Sequence, residues 1–197
     1  MNKEQKAREF ASDRHGAINQ VRKYTGEPYI THPAAVVAIL KSSPPYSVEM
    51  LCAGWLHDTI EDTDTTLTEI KAVFGSVVAS LVWQVSDISK PSDGNRQVRK
   101  EIDRQHLAKA SPTGKSIKLA DMIDNLNDIV GLDPDFAKVY LVEKRQLLEV
   151  LEGGDPNLWH QAAQLLDQCD IDLAIPAIKP GLKQGEFSPS ALLGMKM

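Results

Sequence analysis

The sequence predicts an all-α bundle of about eight or nine helices. Three observations predict it. Apolar residues recur at helical spacing along almost the whole chain. Helix starts carry capping residues or a proline at the first helical position. No stretch alternates apolar and polar residues long enough to form a strand. With 197 residues, 42% hydrophobic and 25% charged, the chain can bury one ordinary core. Coiled-coil, collagen-like and fully disordered classes are excluded, and no internal repeat is present.

Each element has its own signal. The N-terminal MNKEQKAREF is charged throughout and lacks the apolar centre of a signal peptide. His32-Pro33 opens the apolar run 34–40, and Pro44-Pro45 stops it. Ser47 is placed to cap a helix over 48–57. Thr66-Leu67-Thr68-Glu69 reads as a capping box, and Gly75 separates that short helix from another over 77–85. The stretch 89–95, SKPSDGN, gathers Pro, Gly, Asp and Asn and reads as a loop. Pro112, Pro134 behind a capping Asp133, and Asp155-Pro156 open the later helices. Phe136, Val139, Tyr140, Leu147 and Leu151 form one stripe at helical spacing. The domain is expected to span 1–170. An irregular C-terminal extension is expected over 171–197, punctuated by Pro and Gly from Pro176 onward.

Charge and cysteines narrow the class. A net charge of −5 argues against a general nucleic-acid binder, and no DNA partner is expected. Cys52 and Cys169 fit apolar surroundings and read as reduced, buried thiols. No window approaches a membrane span. The expectation is a soluble cytoplasmic domain with no membrane contact, and nothing in the pattern specifies an oligomeric state.

The strongest local signal is His57-Asp58 at the end of the apolar stretch 51–56, followed by Glu61 and Asp62. Charged groups beside so apolar a segment are costly unless paired or metal-bound. On a continuous helix Glu61 lies one turn beyond His57 and Asp62 one turn beyond Asp58, so the four would crowd one end of a pocket. Two further candidates stand in similar settings: His32, before a helix-opening proline, and Asp121, after Ile117-Lys118-Leu119-Ala120. Two imidazoles and two carboxylates suit a first-row divalent ion such as Mn²⁺, Fe²⁺ or Zn²⁺. Such an ion acidifies bound water and polarises a phosphoryl oxygen. His15, His106 and His160 have no comparable neighbours and read as ordinary surface or core histidines.

Taken together these stretches resemble a known family. Arg22-Lys23, Gly26-Glu27-Pro28-Tyr29-Ile30-Thr31-His32-Pro33, Leu56-His57-Asp58-Thr59-Ile60-Glu61-Asp62-Thr63, Phe74-Gly75, Lys118-Leu119-Ala120-Asp121 and Asn125 occur in that order. They resemble the HD superfamily of metal-dependent phosphohydrolases, and within it the hydrolase domain of the Rel/Spo alarmone enzymes and the small alarmone hydrolases. The likeness covers residues 10 to about 150. It implies a compact helical bundle in which His32, His57, Asp58 and Asp121 hold one Mn²⁺. Glu61 and Asp62 would position or deprotonate the attacking water. The implied reaction removes the 3′-diphosphate of guanosine tetra- or pentaphosphate, giving GDP or GTP and pyrophosphate. The implied partner is the small nucleotide substrate.

Substrate contacts follow from the same likeness. Arg22 and Lys23 match the basic pair packed along guanine, and a planar guanidinium is the better stacking partner. Asn125 would reach the ribose or base, while Tyr140 would line the nucleoside pocket or serve as a core aromatic. Arg96, Arg99, Lys100 and Arg104 recur at helical spacing and read either as a solvated face or as phosphate contacts. Some positions depart from the pattern. Tyr24 lengthens the link between the basic pair and the following turn, Met122 and Asp124 make one wall less cationic, and Ser86 replaces threonine. These bear on substrate identity more than on reaction type. They motivate an alternative substrate, another 3′-pyrophosphorylated nucleotide or RNA end. A non-catalytic alarmone-binding protein is a third reading, though it would have no need of Glu61 and Asp62. The length leaves no room for a synthetase domain, so hydrolysis alone is expected.

Overall fold

A computed structural model describes residues 2–127 and 129–174. In chain order the helices are α1 (Lys3–Ala17), α2 (Thr31–Ser42), α3 (Val48–Leu56), α4 (Thr59–Asp62), α5 (Leu67–Phe74), α6 (Ser76–Val85), α7 (Arg96–Ala108), α8 (Pro112–Leu126), α9 (Ile129–Leu132), α10 (Pro134–Val150) and α11 (Pro156–Ala174). Nine of these have eight residues or more, and α4 and α9 are single turns. The all-α expectation is met. The stretch 89–95 is a loop holding a 3-10 turn at Pro91–Asp93. Among the described residues the only β pairing is an isolated bridge between Val21 and Pro28.

Local chemistry accounts for the helix starts. The side chains of Asn2, Ser47, Thr66, Asn95, Ser111 and Asp133 each accept a backbone N–H in the first turn of the helix they precede, satisfying donors the helix cannot. Asp155 does the same for Asn157 and Leu158. Gly75 adopts φ +88° between α5 and α6, a conformation that penalises any side chain.

The core is centred on α8 and α3. Residues 116–124 of α8 are all buried, and so is every residue of α3 from Met50 to Leu56. A helix covered on all sides must be wrapped by others, and α8 packs against α2, α3, α6 and α11 while α3 packs against α1, α2 and α6. Gly54 permits the close approach of α3 to α2. A Cβ there would stand 3.0 Å from Leu40 Cδ1 and 3.1 Å from Val37 Cγ2. Leu40, Leu119 and Leu126 are essentially inaccessible, and truncating one such leucine to alanine costs about 2–5 kcal/mol.

Several local expectations need correction. The helix over 48–57 stops at Leu56, because Thr59 Oγ1 donates to the Leu56 carbonyl and the chain reopens as the single turn α4. Helix α2 begins at Thr31, so Pro33 is its third residue rather than its first. The capping box at Thr66 is half formed, since Glu69 pairs with Arg14 instead of reaching back. On α10, Val139 is 53% exposed, and the buried face is Ala137, Leu141, Leu147 and Leu148. Phe136 and Tyr140 sit half-buried at the edge of that face. Helix α11 continues to Ala174, four residues into the expected irregular extension. The remainder, 175–197, lies outside the described residues.

Three helix ends meet at one place in this arrangement. The first turn of α2 carries His32, the break between α3 and α4 carries His57 and Asp58, and the C-terminal half of α8 carries Asp121, Asp124 and Asn125. The connection from α1 to α2 doubles back on itself. Tyr29 N donates to the Gln20 carbonyl and Arg22 N to the Glu27 carbonyl, with the reversal at Gly26, φ +72°. In an extended segment residues two apart share a face, so Gln20 and Arg22 both point at the junction of the helix ends.

Candidate metal centre and adjoining cleft

His57 lies against the core with its Nδ1 2.9 Å from the Gly54 carbonyl oxygen. His32 lies with its Nδ1 2.6 Å from Asp124 Oδ2. Both partners can only accept at neutral pH, so each Nδ1 carries the proton and donates. The two Nε2 atoms are thereby turned inward, 3.2 Å apart. Asp58 Oδ2 stands 2.9 Å from His57 Nε2 and 3.4 Å from His32 Nε2. Asp121 Oδ1 stands 3.3 Å from His32 Nε2 and 3.9 Å from His57 Nε2. His32, His57 and Asp58 each present one ligand atom within 4.8 Å of the others. All four sequence-predicted ligands are therefore brought together, with both histidines and Asp121 buried.

The electrostatics of this centre are those of carboxylates and imidazoles held close together. Burial alone would lower the His32 pKa, but hydrogen bonds to Asp121, Asp124 and Asp58 outweigh it and hold the imidazole up to about 11. Burial would raise Asp58 and Asp121. Instead the positive charge of His57 and His32 holds Asp58 well below the usual range, and Lys118 with the histidines does so for Asp121. Two inward imidazole nitrogens and two carboxylates in a buried space make a donor set that fits one divalent first-row ion. A cation bound there would take the place of the His32 Nε2 proton.

The ligands are themselves held. Tyr29 Oη donates to Asp58 Oδ2 at 2.6 Å, and burial followed by the Asp58 charge pushes the Tyr29 phenol pKa upward. Lys118 Nζ lies 2.9 Å from Asp121 Oδ2, and Asn125 Nδ2 donates to Asp121 Oδ1 at 2.6 Å. Such outer partners orient ligands and raise their basicity.

Glu61 and Asp62 are placed differently from the expectation. The break at Leu56 swings them onto the exposed rim, and their carboxylates diverge. Glu61 Oε1 accepts from Asp87 N at 2.9 Å, whereas Asp62 Oδ2 accepts from Gln20 Nε2 at 2.8 Å. The Glu61 residue is exposed overall, yet its carboxyl faces protein. Desolvation there, with Lys118 opposing and Asp58 and Asp87 adding, pushes its pKa up to about 7. Gln20 Oε1 in turn accepts from His15 Nδ1 at 2.7 Å. His15 is buried, with its ring centroid 4.7 Å from that of Tyr29. It is thus tied into the site, whereas His106 bonds the Trp83 carbonyl and His160 lies exposed, both away from it.

A cleft of about 310 Å³ opens beside the centre, lined by Arg22, Lys23, Tyr29, Asn125, Phe136 and Tyr140 among others. Arg22, Lys23, Asn125 and Tyr140, expected to contact substrate, all border it. Arg22 Nη1 is 2.8 Å from Asp124 Oδ2, and Lys23 Nζ donates to Tyr24 Oη and lies over the Tyr24 and Phe136 rings. Asn125 faces the cleft with its amide nitrogen already given to Asp121. Tyr140 also borders a second, polar cavity of about 150 Å³ that holds Arg96, Lys100 and Arg104. Those cations are paired, Arg96 with Glu143, Lys100 with Asp87 and Arg104 with Glu101, on a part-exposed helix face. Asp124 stands against the cleft wall as a negative partner of Arg22. Its carboxylate is engaged by His32 and Arg22.

Sequence reasoning missed Gln20, His15, Tyr29, Lys118 and the role of Asp124. Lys118 and Asp121 stand three apart on α8, which is a readable pairing. Gln20 and His15 are brought in by the turn at Gly26, which no spacing rule exposes.

The HD-domain family model matches residues 7–146. The zebrafish (Danio rerio) guanosine-3′,5′-bis(diphosphate) 3′-pyrophosphohydrolase MESH1 is 39% identical over 171 residues, covering 83% of this chain and 92% of that protein. The Aquifex aeolicus guanosine-3′,5′-bis(diphosphate) 3′-pyrophosphohydrolase is 44% identical over 129 residues, 64% of this chain and 17% of that protein. Among solved structures, a metazoan ortholog of SpoT described as hydrolysing ppGpp superposes with TM-score 0.76 at 30% identity, covering 85% of this chain and 96% of its own.

Proposed function

The chain belongs to the HD-domain family, and from that premise we propose that it hydrolyses the 3′-diphosphate of guanosine tetra- and pentaphosphate, releasing pyrophosphate and GDP or GTP. The observation that carries the reading is the joining of two inward imidazole nitrogens and two carboxylates to a cleft lined by Arg22, Lys23, Phe136 and Tyr140. The relatives named above carry this activity in their names, and they match most of the chain.

His32, His57, Asp58 and Asp121 would hold one divalent cation, with Mn²⁺ proposed and Fe²⁺ or Zn²⁺ compatible with the same donors. When bound, that ion supplies Lewis acidity toward the phosphoryl oxygen and acidifies water. The chain's own groups do the rest. Glu61, with a pKa raised to about 7, suits the task of taking a proton from the attacking water near neutral pH. Asp62, held by Gln20, is assigned the orienting of that water. Water adds to the phosphorus next to the ribose, the bond from that phosphorus to the 3′-oxygen breaks, and the oxygen leaves as the 3′-hydroxyl. Arg22 and Lys23 offer positive charge to an anionic nucleotide on an acidic protein, and Tyr140 and Phe136 offer flat apolar surface to the base.

The alternative, another 3′-pyrophosphorylated nucleotide or RNA end, rests on the carboxylate of Asp124 at the cleft wall, which pairs with Arg22. No helix among the described residues is long and apolar enough to cross a membrane. Cys52 and Cys169 are free and buried, which supports the proposal of a reducing, cytoplasmic setting. The test is product analysis. Mn²⁺-loaded protein with guanosine tetraphosphate should give GDP and pyrophosphate in equal amounts, and faster than it cleaves 3′-diphosphorylated adenosine nucleotides or RNA ends. Binding without turnover would contradict it.

A further inference from the structure

We propose that Asp124 is a positioning residue that joins the metal centre to the nucleotide cleft through a single carboxylate oxygen. Its Oδ2 lies 2.6 Å from His32 Nδ1 and 2.8 Å from Arg22 Nη1. One group therefore fixes a candidate ligand on one side and a candidate substrate contact on the other. Asp124 stands on α8 three residues beyond Asp121, and only 8% of its surface is accessible. A carboxylate so enclosed needs a compensating charge. Among the described residues its cationic partners within 4 Å are His32 and Arg22.

This arrangement acts on both neighbours. By accepting the Nδ1 proton, Asp124 keeps the Nε2 of His32 free to face the centre and makes it a stronger donor. By holding Nη1, it sets the plane of the Arg22 guanidinium at the cleft wall. Arg22 reaches it from the α1–α2 turn and His32 from the first turn of α2, so Asp124 is where the loop, helix α2 and helix α8 are tied together. The inference rests on the metal reading above and adds a role for a residue which that reading does not require.

Mn²⁺ binding to metal-free protein, measured by competition with a chelating dye, tests the metal side. Asp124→Asn should weaken affinity about 10- to 100-fold, Asp124→Glu should recover part of the loss, and Asp58→Ala should lose the ion. Affinity of Asp124→Asn within twofold of the parent, with Asp58→Ala deficient, overturns the proposal alone. Parent-like binding by Asp58→Ala overturns the metal reading and the proposal with it. Because the asparagine variant can fail to fold, imidazole nitrogen NMR of the Zn²⁺-loaded parent gives a second readout. His32 should keep its proton on Nδ1, and coordination through Nδ1 would overturn the proposal. The cleft side is read from KM for guanosine tetraphosphate. At saturating Mn²⁺, Asp124→Asn in an Arg22→Gln background should leave KM unchanged, because Asp124 acts there through Arg22. Additive increases in KM would overturn that link.

Discussion

The two ends of the site are built on opposite plans. At the metal end, His32, His57, Asp58 and Asp121 sit on helix ends and each has a second partner, in Asp124, Gly54, Tyr29 and Lys118 respectively. Burial there is nearly complete. At the cleft end, Lys23, Tyr24, Phe136 and Tyr140 come from a turn and from one face of α10, and rings and stems supply most of the surface. The contrast follows from the task. A small cation needs donor atoms fixed to a fraction of an ångström, and only packed helices with a second layer of hydrogen bonds fix them so well. A nucleoside is recognised by area and charge, which a loop and a half-buried helix face can present.

Substitutions at the metal end should therefore remove kcat or metal, and those at the cleft end should raise KM. The largest effect is expected for Asp58→Ala. Bound metal and turnover should both disappear while helical circular dichroism stays near that of the parent, and retained metal would break the comparison. Next is Glu61→Gln, which should lower kcat by about 10²–10⁴-fold with little change in KM. In the parent, a base with a pKa raised to about 7 works only when deprotonated, so kcat should climb as pH rises through about 7. A pH profile flat from 6 to about 8 would remove Glu61 from that role.

Tyr140→Ala should raise KM by roughly tenfold or more, from loss of a stacking surface, and should leave Mn²⁺ affinity unchanged. A fall in metal affinity would show that the two ends are less separate than their construction suggests. The smallest effect is expected for Gln20→Leu, which cuts the link from His15 to Asp62. A fall in kcat of up to about tenfold, with KM held, is the expectation for one hydrogen bond to a charged group. Steady-state kinetics at saturating Mn²⁺ read both variants.

The same contrast explains what could be read from the sequence. The grouping of the four candidate ligands was legible because each stands beside an apolar helical run, where an unpaired charge is costly. The helix count was legible because caps and prolines mark the starts. The divergence of Glu61 and Asp62 was not, since it depends on Thr59 taking the Leu56 carbonyl and ending α3 early. Gln20 and His15 were hidden for another reason. They reach the site through the reversal at Gly26, which sets Gln20 beside Asp62 across 42 positions of chain. Val139 fell on the expected stripe but outside the buried face, because α7 and α11 both pack against α10 and periodicity alone does not weigh one neighbour against another. The bridging role of Asp124 was hidden for an electrostatic reason. Taken singly it subtracts positive charge from a wall, whereas beside Arg22 and His32 it ties two cationic side chains together.

The most direct test of the central claim is a titration of metal-free protein with Mn²⁺ while guanosine tetraphosphate turnover is followed. The rate should rise linearly and break at one ion per chain, with pyrophosphate and GDP formed in equal amounts. Turnover without added ion, a break at two ions, or release of inorganic phosphate in place of pyrophosphate would contradict it.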